Sequence, residues 1–357
     1  MPNKLRSPGT RGELLLLIAT LVLSACVVNA QAPDQSEDVV SIRTRVVFVD
    51  VVVKDRRTNA VVTNLKSNNF EILDNGRLRQ LTYFSRGGEK TDRPLALVLI
   101  LAPMDDRARN SIQNPAILKS MATALARLPA EDELTVMFWW WGGVVPPQTL
   151  VAFTHDRSQI SKALANMPSF NPPVTPDLSG SSPQSLKETL IATVAERPRS
   201  RVAVIMITDS VYQMTTLERD DMTARLLRNN VTLNALITGA DKFFGLSYPV
   251  LKPASSVLGL SLYGVPSYLA QQTGGEEVRV RNPQDYGAAL EQVIGDLSSR
   301  YGLGFTLAEG EPDDGRLHHL KVRVAARDVR GKERKLTVIT RRGYYVPKMV
   351  VDKKALL

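Results

Sequence analysis

Leu95-Ala96-Leu97-Val98-Leu99-Ile100-Leu101 is an unbroken apolar run with no polar face. A strand that lies on one face of a core alternates apolar and polar side chains. A continuous run reads instead as a strand buried on both faces, the condition of a parallel sheet. Val202-Ala203-Val204-Ile205-Met206-Ile207 repeats the signal further along. Between and beyond these runs the period changes. Ile112, Ile117, Met121, Leu125 and Leu128 recur at helical spacing and predict one helix over 107–128. Strands are predicted at 134–138, 149–153, 231–237 and 277–280, and helices at 157–167, 184–196, 216–228, 266–273 and 284–300. This alternation over 93–300 predicts an α/β domain, a doubly wound, Rossmann-like sheet with helices on both faces.

The flanks read differently. Arg45 to Val53 is β-rich and ends at Lys54-Asp55-Arg56-Arg57; a second run covers Ala60 to Thr63. Phe70-Glu71-Ile72-Leu73 leads into Asp74-Asn75-Gly76, a strong hairpin-turn signal, and the strand pattern resumes from Leu78 to Phe84. At the other end Leu303–Leu307, Leu317–Ala325 and Lys335–Thr340 are again strand-like. Because domain termini often lie close together, the regions 40–90 and 301–347 are expected to combine into one β-sandwich-like module.

The chain has 357 residues, 43% of them hydrophobic, with a formal net charge of +9. That length suffices for one large core or two smaller ones. Lys and Arg are dispersed, without a basic helix or a nucleic-acid motif, so the charge reads as a solvated surface and nucleic acid is not an expected partner. Lys4, Arg6 and Arg11 precede the apolar run Leu14–Leu23 and small residues, the order of a secretory signal over 1–30. The run is shorter than the roughly 20 apolar residues that span a bilayer. Val28-Asn29-Ala30 suits cleavage at 30/31; Leu23-Ser24-Ala25-Cys26 equally suits cleavage at 25/26 with lipid attached to Cys26, which would be the only membrane anchor. Both readings imply export, to the periplasm, the outer envelope surface or the medium. Cys26 is the only cysteine, so no intramolecular disulfide can form.

Val51-Val52-Val53-Lys54-Asp55, Asn68-Asn69-Phe70-Glu71-Ile72-Leu73-Asp74-Asn75-Gly76, Thr273-Gly274-Gly275-Glu276 and Arg342-Gly343-Tyr344-Tyr345 occur in that order. Together they resemble the von Willebrand factor A-related exported proteins of acidobacterial type, over roughly residues 40–347. The resemblance implies a von Willebrand factor A-like sheet and, in the wider class, a metal-ion-dependent adhesion site. There an Asp-x-Ser-x-Ser motif follows the first buried strand, with a Thr on a later loop and an Asp after the fourth strand. Oxygen ligands of this kind suit a hard divalent cation and leave a position for a partner's carboxylate. Here the motif falls on Ala102, Met104 and Asp106, the Thr position falls near Gln184 among Ser181, Ser182 and Ser185, and only Asp209 matches well. A methyl offers no electron pair, and a thioether is too soft for such an ion. The expectation is a degenerate site without a cofactor. The alternative is a shifted Mg²⁺ or Mn²⁺ site using Asp105, Asp106 and Asp209, although Asp after a strand is also a common helix cap.

Trp139-Trp140-Trp141 stand where the second strand of the sheet should end, beside the same rim. Exposed aromatics beside a crevice suit a protein hot spot or sugar stacking, while buried ones simply close the core. His318 and His319 lie in a predicted strand and should point to opposite faces, as surface histidines rather than joint metal ligands. Gly-x-Ser-x-Gly is absent, the Ser-rich loop at 179–182 has no identifiable base, and neither glycine pair continues into a phosphate loop. The expected function is therefore a non-enzymatic interaction or adhesion-type module that binds a protein or envelope glycan. Its rim would comprise Ala102, Met104, Asp105, Asp106, Asp209, Ser210 and Trp139–Trp141. A cation-dependent adhesion or assembly factor, or an envelope enzyme with an unrecognised site, are the alternatives.

Overall fold

The computed structural model describes residues 45–87, 89, 93–103, 106–140, 147–170, 183–209, 214–238, 260–261, 264–308, 311, 314–327 and 330–346. The expected export signal, both cleavage readings and Cys26 lie outside them. Among the described residues, no helix is long and apolar enough to cross a membrane.

Strand β1 (Val46–Asp55) shows how one sequence pattern builds two cores. Val47, Val49, Val51 and Val53 point one way, into a core shared with Phe70, Ile72, Leu303, Phe305, Leu320, Val322 and Tyr344. Phe48, Asp50, Val52 and Lys54 point the other way, as the pleat requires. The first set packs two antiparallel sheets face to face. One sheet runs β15 (Leu336–Thr340), β1, β13 (Tyr301–Thr306), β4 (Tyr83–Ser85). The other runs β16 (Gly343–Tyr345), β14 (Leu317–Val324), β2 (Phe70–Asp74), β3 (Arg77–Arg79). Both sheets therefore mix strands from the two flanks of the chain.

The Asn75-Gly76 turn joins β2 to β3 with φ of 48° and 82°, the paired left-handed conformation of a tight hairpin. The continuous strand expected over 78–84 is instead two short ones in different sheets. After β3 the chain crosses between layers, with Leu81 packed against the core on the way.

The central sheet has six strands in the order β12 (Glu277–Val280), β10 (Thr232–Thr238), β8 (Arg201–Asp209), β5 (Leu95–Ala102), β6 (Glu133–Phe138), β7 (Gln148–Thr154). All neighbouring pairs are parallel except β6 and β7. In order of appearance this is the 3-2-1-4-5-6 winding, which reverses direction between β5 and β8. The opening run behaves as its unbroken apolarity predicts. Leu95, Leu97, Leu99 and Leu101 enter one core layer; Ala96, Val98, Ile100 and Ala102 enter the other.

Helices α1 (Asp106–Ile112), α2 (Pro115–Leu125), α3 (Arg157–Ala165) and α7 (Tyr286–Ser298) lie on the leucine side. Helices α4 (Pro183–Ala195), α5 (Thr216–Arg228) and α6 (Val265–Thr273) cover the other. A small pair, β9 (Met214–Thr215) and β11 (Leu260–Ser261), stands apart from the sheet. The single helix expected over 107–128 is broken between α1 and α2. Asn114 is extended and accepts the Ala116 N–H at 2.9 Å, and Pro115 starts α2, where its missing N–H costs nothing.

Candidate functional site

In a doubly wound sheet the carboxyl ends of the strands diverge where the winding reverses, and the crevice left there is the natural binding position. In this chain that position lies between the ends of β5 and β8. Ala102 is in register with Thr208, and Asp209 with Thr238 on the next strand. Ala102 and Thr208 are both fully buried. The backbone of Asp209 thus ends β8 beside the crevice, but its side chain lies outside the described residues. So do Met104, Asp105, Ser210, Trp141 and the side chain of Gln184. Among the described residues, no group of three or more metal-ligating side chains is arranged to hold a cation.

The tryptophans divide by strand alternation. The Trp139 N–H donates to the Leu101 carbonyl at 2.9 Å, which extends the β5–β6 pairing by one residue. Its indole is fully buried with Ala102, Met137 and Val265, so Trp139 belongs to the core and not to the rim surface. Trp140 points to the opposite layer and is half-buried. The Arg109 guanidinium of α1 lies over its ring, 4.3 Å from the centroid, and pairs with exposed Asp106 one turn earlier at 3.3 Å. Asp106 stands in the first turn of α1, where the helix dipole favours a negative charge. The described part of the rim therefore presents a carboxylate, a guanidinium and an indole in contact. That set can stack on and hydrogen-bond to a ligand.

Three of the four landmarks that carried the resemblance meet at the other end of the sheet, and the fourth, Asn68–Gly76, lies within the sandwich. Lys54, on the outer face of β1, donates to Glu276 Oε2 at 2.6 Å and to Asp296 Oδ2 of α7 at 2.8 Å. Burial pulls the ammonium pKa down, but its bonds to Asp296 and Glu276 outweigh this and hold it above the ordinary value. Burial also pushes the Glu276 carboxyl up, and the Asp296 charge adds to the rise despite Lys54.

Thr273 Oγ1 accepts the Leu233 N–H and donates to the Leu269 carbonyl, tying α6 to β10. Gly274 has a φ of 79°, and any Cβ on Gly275 would overlap the backbone carbonyl of Leu233. Fully buried Arg300 donates to the Gly274 carbonyl at 2.8 Å, and Thr273 bridges to Arg341 just before the closing Arg342-Gly343-Tyr344-Tyr345. These residues form the junction between the β-sandwich and the α/β domain.

His318 is not the surface histidine expected. It is half-buried, stacked on Tyr344 at 4.9 Å, with Nδ1 3.4 Å from the buried Asp74 carboxylate; only His319 is exposed. Arg79 completes this cluster with a 2.6 Å ion pair to Asp74. Burial pushes the Tyr344 hydroxyl pKa up, and the adjacent Asp74 charge reinforces it. The alternation of β14 separates the two histidines correctly, but only the fold brings Tyr344 and Asp74 to one of them.

No family model matches the chain, and no curated protein does. Among solved structures it is similar to the conserved hypothetical protein BatB from Bacteroides thetaiotaomicron, at 14% identity over 57% of this chain and 98% of that one, with a TM-score of 0.37. It is also similar to the von Willebrand factor type A protein from Catenulispora acidiphila, at 11% identity over 82% and 79% of the two chains, with a TM-score of 0.43. A third is the SpRpn10 VWA domain, at 14% identity, 56% and 95% coverage and a TM-score of 0.34. Six strands in the doubly wound order, covered by helices on both faces, give the α/β part of this chain a doubly wound fold, and von Willebrand factor A proteins are among the solved structures it is similar to.

Proposed function

We propose that the chain is an exported protein-interaction module that binds a protein or envelope glycan at the carboxyl-end rim without a cation. The observation that carries this reading is the Asp106–Arg109–Trp140 contact at the carboxyl ends of β5 and β6. Arg109 lies over the Trp140 indole, and such Arg–aromatic groupings are enriched at binding hot spots. Ala102 supports the cation-free part, because a buried methyl stands where the resemblance puts a ligating carboxylate. The chain is read as a binding protein and not an enzyme, since the described rim pairs no nucleophile with a base.

The test combines calorimetry with partner capture from envelope extracts. Mg²⁺ or Mn²⁺ should produce no binding heat, and chelator should not change partner recovery. Arg109→Ala and Trp140→Ala should abolish recovery while leaving the thermal unfolding transition cooperative. Recovery that requires the cation and disappears in Asp209→Ala would overturn the cation-free reading in favour of a shifted site at Asp105, Asp106 and Asp209.

A further inference from the structure

A second recess lies at the amino end of the central sheet. It is a cavity of about 300 Å³ between Phe48 of β1, the C-terminal ends of α4 and α5, and Tyr345 of β16. Four arginines line it, Arg93, Arg197, Arg228 and Arg341, and no Asp or Glu does among the described lining residues. Charges of one sign repel, and a partly buried recess screens that repulsion poorly. An arrangement of this kind needs either internal carboxylates or an external anion.

The arginines are not equivalent. Arg197 is neutralised by Glu133, which accepts from both its Nε and Nη2 at 3.0 and 2.9 Å. Arg228 stands in the last turn of α5, where the helix dipole favours a cation, and this explains its charge without a ligand. It does not explain the geometry. The Arg228 guanidinium lies over the Tyr345 ring, 4.1 Å from the centroid, with no acidic partner among the described residues. Arg93 lies 4.5 Å from the Phe48 centroid and donates to the Ser200 carbonyl at 3.5 Å, so it borders the recess as an already partnered cation. A guanidinium over a ring can still offer N–H donors to an oxygen ligand.

Arg341 is the least expected of the four, because it is only 8% exposed. Its Nη2 donates to the Phe48 carbonyl, its Nε has no hydrogen-bond partner, and no carboxylate pairs with it among the described residues. Burial lowers its pKa to about 10, against the attraction of Asp50. A buried guanidinium left this poorly compensated is costly to the fold unless a counter-charge arrives from outside.

We propose that this recess binds a small oxyanion-bearing ligand, a phosphate or a carboxylate, with Arg341 as its buried anchor and Arg228 as the fork that orients it. The cavity is at the small end of the range for ligand sites, which fits a compact anion. The site lies at the opposite end of the sheet from the rim and stands independently of the rim's function.

The experiment titrates the whole chain with inorganic phosphate and, separately, with citrate, read by calorimetry and by the thermal midpoint. At least one anion should bind and raise the midpoint. Arg228→Gln should weaken that binding about tenfold, as expected for loss of one charge-assisted contact, and Arg228→Glu, which reverses the charge, should abolish it. Arg228 is a safe first substitution even if Arg341→Gln fails to fold. Arg56→Gln, at an exposed turn, should change nothing. Absence of binding by both anions, or equal binding by Arg228→Glu, would overturn the proposal. So would binding only to phosphatidylglycerol vesicles, since that would make the recess part of a membrane surface.

Discussion

At the amino end of the central sheet, Lys54, Glu276 and Asp296 form a buried ion triad closed by distances of 2.6 and 2.8 Å. At the carboxyl end, Asp106 is exposed and meets Arg109 at 3.3 Å, and the position of the first expected cation ligand is buried Ala102. Both ends are polar features of one sheet, yet they differ in what their residues can do. The amino-end groups are removed from water, so each depends on its partners. The carboxyl-end groups keep access to solvent, so each can change its partner. Most of the signature that carries the resemblance, Lys54, Thr273–Glu276 and the stretch from Arg342, therefore marks the joint between the β-sandwich and the α/β domain. It says little about a ligand, and the fold can persist while the rim changes its chemistry.

That contrast predicts its largest effect at Lys54. Lys54→Met strips the cation from two buried carboxylates, and breaking a buried pair in this way typically costs about 3–5 kcal/mol. Urea unfolding should show that loss, and adding Glu276→Gln and Asp296→Asn should recover part of it. A loss below about 1 kcal/mol would mean that the triad is hydrated and the two ends are alike. Gly275→Ala comes next. The new methyl meets the Leu233 carbonyl, and β10 is held by parallel partners on both sides, so relief requires breaking a ladder. A thermal-shift measurement should report destabilisation of about 3 kcal/mol, the upper range for overpacking.

The third prediction concerns pH. Burial, reinforced by Asp296, raises the Glu276 pKa above its ordinary value of 4.5. The folded state therefore keeps a proton that the unfolded chain has already lost. The associated stability is fully present below pH 4.5 and is lost as pH rises through the higher folded value. Unfolding midpoints followed upward from pH 4.5 should decline more steeply in the native protein than in Glu276→Gln. Parallel curves would show that Glu276 titrates normally and is not desolvated.

The sequence conveyed the sheet better than the joint, for a physical reason. Burial on both faces leaves a local mark, and Leu95–Leu101 carries it in consecutive residues. Lys54 leaves none, because its two carboxylates are 222 and 242 residues away. The break at Asn114-Pro115 was legible as cap chemistry, but the helical spacing of Ile112, Ile117 and Met121 runs straight across it. At the rim, position alone located Ala102 and the end of β8, but all three tryptophans were expected there, and only the structure shows that Trp139 is the buried one. Arg109 was invisible as a partner of Trp140, since a cation over a ring has neither period nor motif. That the two flanks combine followed from their strand-like patterns; the pairing of β1 with β13 and its register did not.

The smallest effects belong to the rim, and they test the comparison from its other side. Asp106 contributes an exposed pair, a class that adds about 0–1 kcal/mol, so Asp106→Asn should leave the unfolding midpoint nearly unchanged. Arg109→Ala should cost somewhat more, about 1 kcal/mol, because the stack over half-buried Trp140 is lost as well. Both values should be independent of each other's presence only in part, since Asp106 orients the guanidinium that covers the indole. A double-mutant cycle measures that coupling, with about 0.5 kcal/mol expected for neighbouring groups in contact. Coupling of several kcal/mol would place the rim in the same class as the triad. It would then be a structural clasp, and the solvent-accessible recognition surface would have to lie elsewhere on the sheet.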